Sequence, residues 1–270
     1  MRTLYIILNI LKIDIAPLWS AYICGRNLFS TNISLLRRGK ANLRTKNRHN
    51  VQNYIIRKNI LWILTAVLFL SSCKDKPPEE TGQFKKTDLV ELIKLDSTFH
   101  LDIRYATSNN FLGRPVYKEA RAFLQKPAAE ALVNVNKELK PLGYALVIFD
   151  GYRPWSVTKT FWDMTPEDKK QFVADPKVGS RHNRGCAVDL SLYELATGKE
   201  VEMPGEYDEM SERSYSDYKG GTDEQRNLRD LLRSKMENNG FEVLKVEWWH
   251  FDFKGWKSYR IENIPFEEIK

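Results

Sequence analysis

The sequence predicts an α+β fold: a single compact domain with a mainly antiparallel central sheet flanked by helices. Three observations predict it. Strand-like and helix-like segments follow one another without the regular alternation that builds a parallel sheet. The segment "YALVIFD" at 144–150 is continuously apolar and reads as a strand buried within a sheet. The segment "FEVLKVEWWHFDF" at 241–253 is aromatic and β-branched and reads as a final strand. No internal repeat is present.

The elements follow in order. "DLVELIKLD" (88–96) and "FHLDIRYA" (99–106) carry the alternation of strands. "NNFLGRPVY" (109–117) holds Asn, Gly and Pro and reads as a loop. "KPAAEALVNVNKELKPLG" (126–143) reads as a helix with Pro127 in its first turn and Gly143 past its end. After the buried strand, "GYRPWSVTKTFWDM" (151–164) turns at Gly151 and enters a helix with Pro154 in its first turn. "TPEDKKQFVADP" (165–176) is polar and partly helical. "YELATGKEVEM" (193–203) places Thr197-Gly198 between extended pieces, a hairpin pattern. "TDEQRNLRDLLRSKMENNGF" (222–241) is an amphipathic helix, capped by Thr222 or Asp223 and stopped at Asn239-Gly240.

The net charge of +7 is unevenly spread. Residues 1–73 carry 11 basic residues and one acid, Asp14; residues 74–270 carry 31 basic and 34 acidic residues, a net of −3. The folding part is therefore mildly acidic and has no basic stripe, which argues against nucleic acid as a partner. Three cysteines, Cys24, Cys73 and Cys186, form no CxxC and no disulfide framework.

The leader has its own organisation. In "RKNILWILTAVLFLSSC" (57–73), Arg57 and Lys58 precede an apolar run of 11 residues, Ile60 to Leu70, and then two serines and Cys73. The run is shorter than the roughly 20 residues a membrane-spanning helix needs, and it suits a signal peptide. "LSSC" resembles the bacterial lipobox, which implies lipidation of Cys73, a lipid anchor as the only membrane contact, and a place in the bacterial envelope, periplasmic in orientation. Residues 1–50 precede this signal and form a leader of doubtful status, consistent with a true start near Val51. Residues 51–73 are then the signal peptide, 74–86 a polar, Pro-containing flexible tether, and 87–270 the catalytic domain.

The chemistry centres on "SRHNRGCAVDLS" (180–191), which holds one of only four histidines in the chain. A catalytic metal site takes three protein ligands and keeps one position open. His182 and Asp189 supply two only if Gly185 permits a turn or bulge, because residues seven apart in a strand point to opposite faces. His49 lies in the leader, and His100 has no acid–His pattern around it. His250, three residues after Glu247, is the useful third. A glutamate beside a metal can take the proton of a water whose pKa the ion lowers from about 15.7 toward 7. Two histidines, an aspartate and an open position suit zinc. The alternative for each half alone is a satisfied core histidine and a turn-capping aspartate.

"SRHNRGCAVDLSL" resembles the Ser-x-His-x-x-Gly-x-Ala-x-Asp signature of the D-Ala-D-Ala dipeptidase and carboxypeptidase metallopeptidases. "EWWHFDF" resembles their Glu-x-x-His partner. "FDGYRP" (149–154), "IRYATSNNFLGRPVY" (103–117) and "EYDEMSERS" (206–214) resemble segments of the dipeptidase branch, in the same order, from about residue 88 to 260. The resemblance implies one zinc ion per chain on the sheet, held by His182, Asp189 and His250. It implies Glu247 as general base and Arg153 as the cation that stabilises the developing oxyanion. It implies that Asp208 holds the substrate's free ammonium, with Ser180 and Tyr105 lining the same pocket. Cys186 departs from the usual Ser or Ala and reads as a small packing residue; Tyr215 stands where a histidine is common.

The expected function is hydrolysis of D-alanyl-D-alanine, or a similarly small dipeptide, in cell-wall peptide metabolism. The rivals are a carboxypeptidase or peptidoglycan endopeptidase with the same zinc chemistry, and a non-catalytic module that binds cell-wall peptides. Glu247 and Arg153 argue against the last, since binding alone needs neither. Oligomeric state is not legible in the sequence.

Overall fold

The computed structural model describes residues 75–270. The leader 1–50, the signal-type segment 51–73 with Cys73, and Lys74 lie outside the described residues. Residues 75–87 have no helix or strand, yet they are not free. Glu80 pairs with Arg184 at 2.5 Å and accepts the Ile261 N–H at 2.8 Å, and the Lys85 N–H donates to the Ser258 carbonyl at 2.8 Å. The stretch expected to be a flexible tether is thus stitched to the domain from Glu80 onward.

Strand β1 (Leu89–Glu91) pairs antiparallel with β3 (Phe123–Gln125) in a small two-stranded sheet. The rest of "DLVELIKLD" is a single helical turn, Leu92–Leu95, that buries Leu92 completely. The main sheet contains β2 (His100–Leu101), β4 (Tyr144–Asp150), β5 (Ala187–Glu194), β6 (Phe241–Leu244) and β7 (Glu247–Phe253), in the order β2-β4-β5-β7-β6. Every neighbouring pair is antiparallel except β2 with β4. β2 has two residues because the chain breaks into a 3-10 turn at Arg104–Ala106, which draws Tyr105 into the core. The segment 241–253 is a hairpin and not one strand: it reverses at Lys245-Val246, which carries none of the Gly, Asn or Asp residues that announce a two-residue turn. At Thr197-Gly198 the chain does reverse, with φ +68° at the glycine, but only a single bridge forms, Tyr193 to Glu200.

Among the described residues, three helices of ten residues or more accompany the sheets: α1 (Lys126–Leu139), α2 (Trp155–Met164) and α3 (Asp223–Asn238). Pro154 sits one residue before α2, and 165–176 contributes a 3-10 stretch, Glu167–Phe172. α3 begins with a capping box, in which the Thr222 hydroxyl accepts the Gln225 N–H and the Gln225 side chain accepts the Thr222 N–H. Leu132, Val135 and Leu139 of α1 and Leu232 and Met236 of α3 are fully buried in one cluster with Leu146 and Ile148 of β4 and Val188, Leu190 and Leu192 of β5. Each such side chain contributes about 1.5–3 kcal/mol. Ala145, Val147, Phe149 and Tyr193 form a second cluster. β4 is therefore covered on both faces, which is why its sequence is apolar without alternation. Among the described residues, no helix is long and apolar enough to cross a membrane.

Candidate active site

The site lies along one row of the main sheet. Asp189 on β5 is in register with His250 on β7, and on its other side with Asp150 at the end of β4. A bulge between Ile148 and Asp150 leaves Phe149 as the extra residue and brings Asp150 into the row. Directly opposed residues on antiparallel strands share a face and nearly touch, so the row alone places two carboxylates and an imidazole together. His182 arrives separately. It opens a 3-10 turn, His182–Arg184, and Gly185 then reverses the backbone at φ +65° before β5 begins. The positive φ requires glycine, and a Cβ there would also press on Leu89 Cδ2, 2.5 Å away. This is the turn that the seven-residue spacing demanded.

The three expected ligands converge. Asp189 Oδ1 lies 3.3 Å from His182 Nε2 and 3.0 Å from His250 Nδ1; the two ring nitrogens are 3.1 Å apart. The ring centroids are separated by 4.8 Å. His182 and Asp189 are nearly inaccessible, and His250 is 6% exposed. The far nitrogen of each imidazole is also held. His182 Nδ1–H donates to the Gly151 carbonyl at 2.7 Å, and His250 Nε2–H donates to Asp252 Oδ1 at 3.0 Å. Both rings therefore aim their remaining nitrogen at Asp189. Three electron-pair donors face one point, and a proton can bridge only two of them; a divalent cation satisfies all three. Burial works against a charged His250, yet Asp189 and Asp252 together raise its imidazole to about 10, a field that favours positive charge at this point. Burial likewise opposes ionisation of Asp189, and His182 and His250 override it, holding its carboxyl far below the usual range.

Glu247 opens β7 and stands 3.7 Å from His250 Nδ1. Burial raises its carboxyl above the ordinary carboxylate value, which suits a group that must take and return a proton. Arg153 follows β4 by three residues. Its Nε donates to Asp150 Oδ2 at 2.9 Å, one terminal nitrogen lies 2.8 Å from the same oxygen, and that nitrogen is 3.7 Å from Asp189 Oδ2. The rings of Tyr105 and Phe161 flank the guanidinium, with centroids at 5.3 and 4.7 Å. Asp150 is itself satisfied by the Tyr117 hydroxyl at 2.8 Å and the Gly151 N–H at 2.9 Å.

His182, Asp189, His250, Glu247 and Arg153 line a cleft of about 320 Å³ together with Tyr105, Ser180 and Asp208. The Tyr105 hydroxyl donates to Asp208, 3.0 Å from both carboxylate oxygens. Asp208 is the one non-glycine residue at positive φ among the described residues, at +62°, a conformation that aspartate tolerates and that marks a position under constraint. Burial first, and then the Asp189 charge, push its carboxyl up to about 8. The Ser180 hydroxyl accepts the His182 N–H at 3.2 Å. Trp249 is on the cleft wall, while Trp248 is in the core. Cys186 is buried outside the ligand group, its thiol pushed up to about 12 by burial, as a packing residue should be.

Four contacts were not singled out from the sequence. Asp150 anchors Arg153, Asp252 anchors His250, the Gly151 carbonyl fixes the His182 tautomer, and the Tyr207 hydroxyl donates to Asp189 Oδ2 at 3.1 Å. Two had signals: Asp150 lies in "FDGYRP" three residues before Arg153, and Asp252 lies two residues beyond His250, on the same strand face.

Comparison with known proteins places this geometry. The peptidase M15 family model, described as D-ala-D-ala dipeptidase, matches residues 85–265. A D-alanyl-D-alanine dipeptidase of Escherichia coli K12 is 35% identical over 173 residues, 64% of this chain and 88% of that protein. One from Enterococcus faecium is 37% identical over 168 residues, 56% of this chain and 83% of that protein. One from Enterococcus faecalis is 36% identical over 178 residues, 58% of this chain and 88% of that protein. A match that spans β1 to the last residues of the domain, with identity of this order along nearly the whole length of each relative, leaves one conclusion: the chain belongs to the D-ala-D-ala dipeptidase family of M15 metallopeptidases.

Proposed function

We propose that the protein is a zinc dipeptidase that hydrolyses D-alanyl-D-alanine, or a similarly small dipeptide with a free ammonium, in cell-wall peptide metabolism. The observation that carries this reading is the convergence of His182, Asp189 and His250 on one point, with Glu247 and Arg153 beside it. Two imidazoles and one carboxylate suit zinc, one ion per chain, with a coordination position left open. When bound there, the ion supplies Lewis-acid activation of water and of the scissile carbonyl. Glu247 takes the proton from the attacking water and returns it to the leaving amine. Arg153, pinned by Asp150 between two aromatic rings, keeps a guanidinium edge toward the cleft and donates to the oxygen as negative charge develops on it, helping the transition state more than the ground state. Asp208, steadied by Tyr105 with Ser180 nearby, takes the substrate ammonium. A carboxylate that burial disfavours as an anion gains most from a cationic partner.

We further propose that residues 87–270 are the catalytic domain, and that the 51–73 signal is cut between Ser72 and Cys73 so that a lipid-modified Cys73 becomes the N-terminus. The domain is then tethered to the bacterial envelope by lipid alone. Mass spectrometry of the mature N-terminus tests this, and a mature chain beginning upstream of Cys73 would overturn it.

The function is tested by release of D-alanine from three substrates: D-Ala-D-Ala, its N-acylated analogue and a muropeptide, each with and without chelator. The dipeptide alone should be cleaved, and only without chelator. Cleavage of the acylated analogue or the muropeptide at a comparable rate would establish a carboxypeptidase or endopeptidase instead. No cleavage of any of them would leave a binding module.

A further inference from the structure

The cleft over the three expected ligands is lined by four acidic residues, Asp189, Asp208, Glu209 and Glu247, and by two arginines among the described residues, Arg153 and Arg181. A free dipeptide brings an anion as well as a cation into this space. Its carboxylate meets like charge from the acids unless a positively charged side chain is set to receive it. Arg153 is already committed, with two of its nitrogens on Asp150 and one of these near Asp189.

Arg181 is differently placed. Its side chain is 44% exposed, and its one ion-pair partner among the described residues is Asp252 Oδ2, at 3.5 Å. Its guanidinium lies over the Trp256 ring, 4.9 Å from the centroid. Its backbone is fixed, because its carbonyl accepts both the Arg184 N–H at 3.0 Å and the Cys186 N–H at 3.1 Å. Arg184, which shares the Trp256 ring, is tied to Glu80 and to the Tyr259 carbonyl. Arg181 is thus a half-open fork on an aromatic seat at the edge of the cleft. One side leans on Asp252, whose other oxygen holds His250.

We propose that Arg181 is the subsite for the substrate's C-terminal carboxylate. The planar fork receives the carboxylate through paired N–H donors, a geometry that lysine cannot reproduce. With the ammonium at Asp208 and the carboxylate at Arg181, the peptide has a single polarity across the ligand group, and its length is bounded at both ends. The proposal rests on the dipeptidase reading.

The test compares D-Ala-D-Ala with its C-terminal amide on the wild type, Arg181→Ala and Arg181→Lys, with zinc content measured for each. The wild type should prefer the free acid by about 10- to 100-fold in kcat/KM, the size of a charge-assisted hydrogen-bond pair. Arg181→Ala should collapse that ratio toward one, chiefly through KM for the acid, and keep its zinc. Arg181→Lys should recover part of the ratio. An equal loss on acid and amide, or loss of zinc, would mean that Arg181 acts through Asp252 and His250 and would overturn the subsite. An unaltered ratio would do the same. A wild type inert towards both peptides would overturn the dipeptidase reading itself, and the subsite with it.

Discussion

Replacing Glu247 by glutamine is expected to lower kcat by about 10²–10⁴-fold while the protein keeps its metal. The amide matches the carboxylate in size and leaves the packing of β7 undisturbed, but it cannot take a proton. Glu247 stands 3.7 Å from His250 Nδ1 and is not part of the His182–Asp189–His250 group, so the ligand set survives the change. Steady-state kinetics on D-Ala-D-Ala and elemental analysis of the same preparation check both halves. Normal turnover would show that another group carries the proton. The wild-type pH profile bears on the same residue. Because burial raises the Glu247 carboxyl above its ordinary value of 4.5, kcat/KM should fall on the acid side through a pKa above that value, and this limb should vanish with the residual activity of the glutamine variant.

The second large effect is expected at Arg153. Lysine in its place should cost roughly 10²–10³-fold in kcat, with zinc retained. The guanidinium reaches Asp150 with two nitrogens and still presents an edge toward Asp189 and the cleft. A lysine amine on a flexible stem cannot hold Asp150 and face the reacting carbonyl in the same pose. Arg153→Ala should go further and destabilise the fold by about 3–5 kcal/mol, since it strands Asp150, 1% exposed, as an uncompensated buried charge. Urea titration of the two variants separates the contributions: lysine should lose rate with little stability, and alanine should lose both. Lysine at full rate would return Arg153 to a purely structural role.

Much of this site is legible in the sequence, for physical reasons. Histidines are few, and two of the three outside the leader stand in the two most apolar late segments, one seven residues before Asp189 and the other three after Glu247, so His182, Asp189, Glu247 and His250 stand out. The need for a reversal at Gly185 follows from strand alternation alone, and the φ of +65° there meets it. The supporting contacts are harder to read. Asp150 and Asp252 are ordinary acids until the β4 bulge and the β5–β7 register set them beside Arg153 and His250. Tyr207 reaches Asp189 from a loop, and no local pattern marks it. The missed turn at Lys245-Val246 has the same origin: the hairpin is imposed by pairing of β6 with β7 and not by turn chemistry. Local composition announced the α3 caps correctly because capping is a local interaction, whereas at α1 it placed Pro127 in the first turn but missed the end: the helix stops at Leu139, and Gly143 closes the 3-10 turn Lys140–Leu142 that follows.

The measurement that bears most directly on the central claim is zinc stoichiometry at equilibrium. After dialysis against a zinc-buffered solution, the wild type should hold one ion per chain, and His250→Ala, which removes one of three converging donors, should hold almost none. Full zinc occupancy in His250→Ala, or a wild type that binds none, would contradict the account.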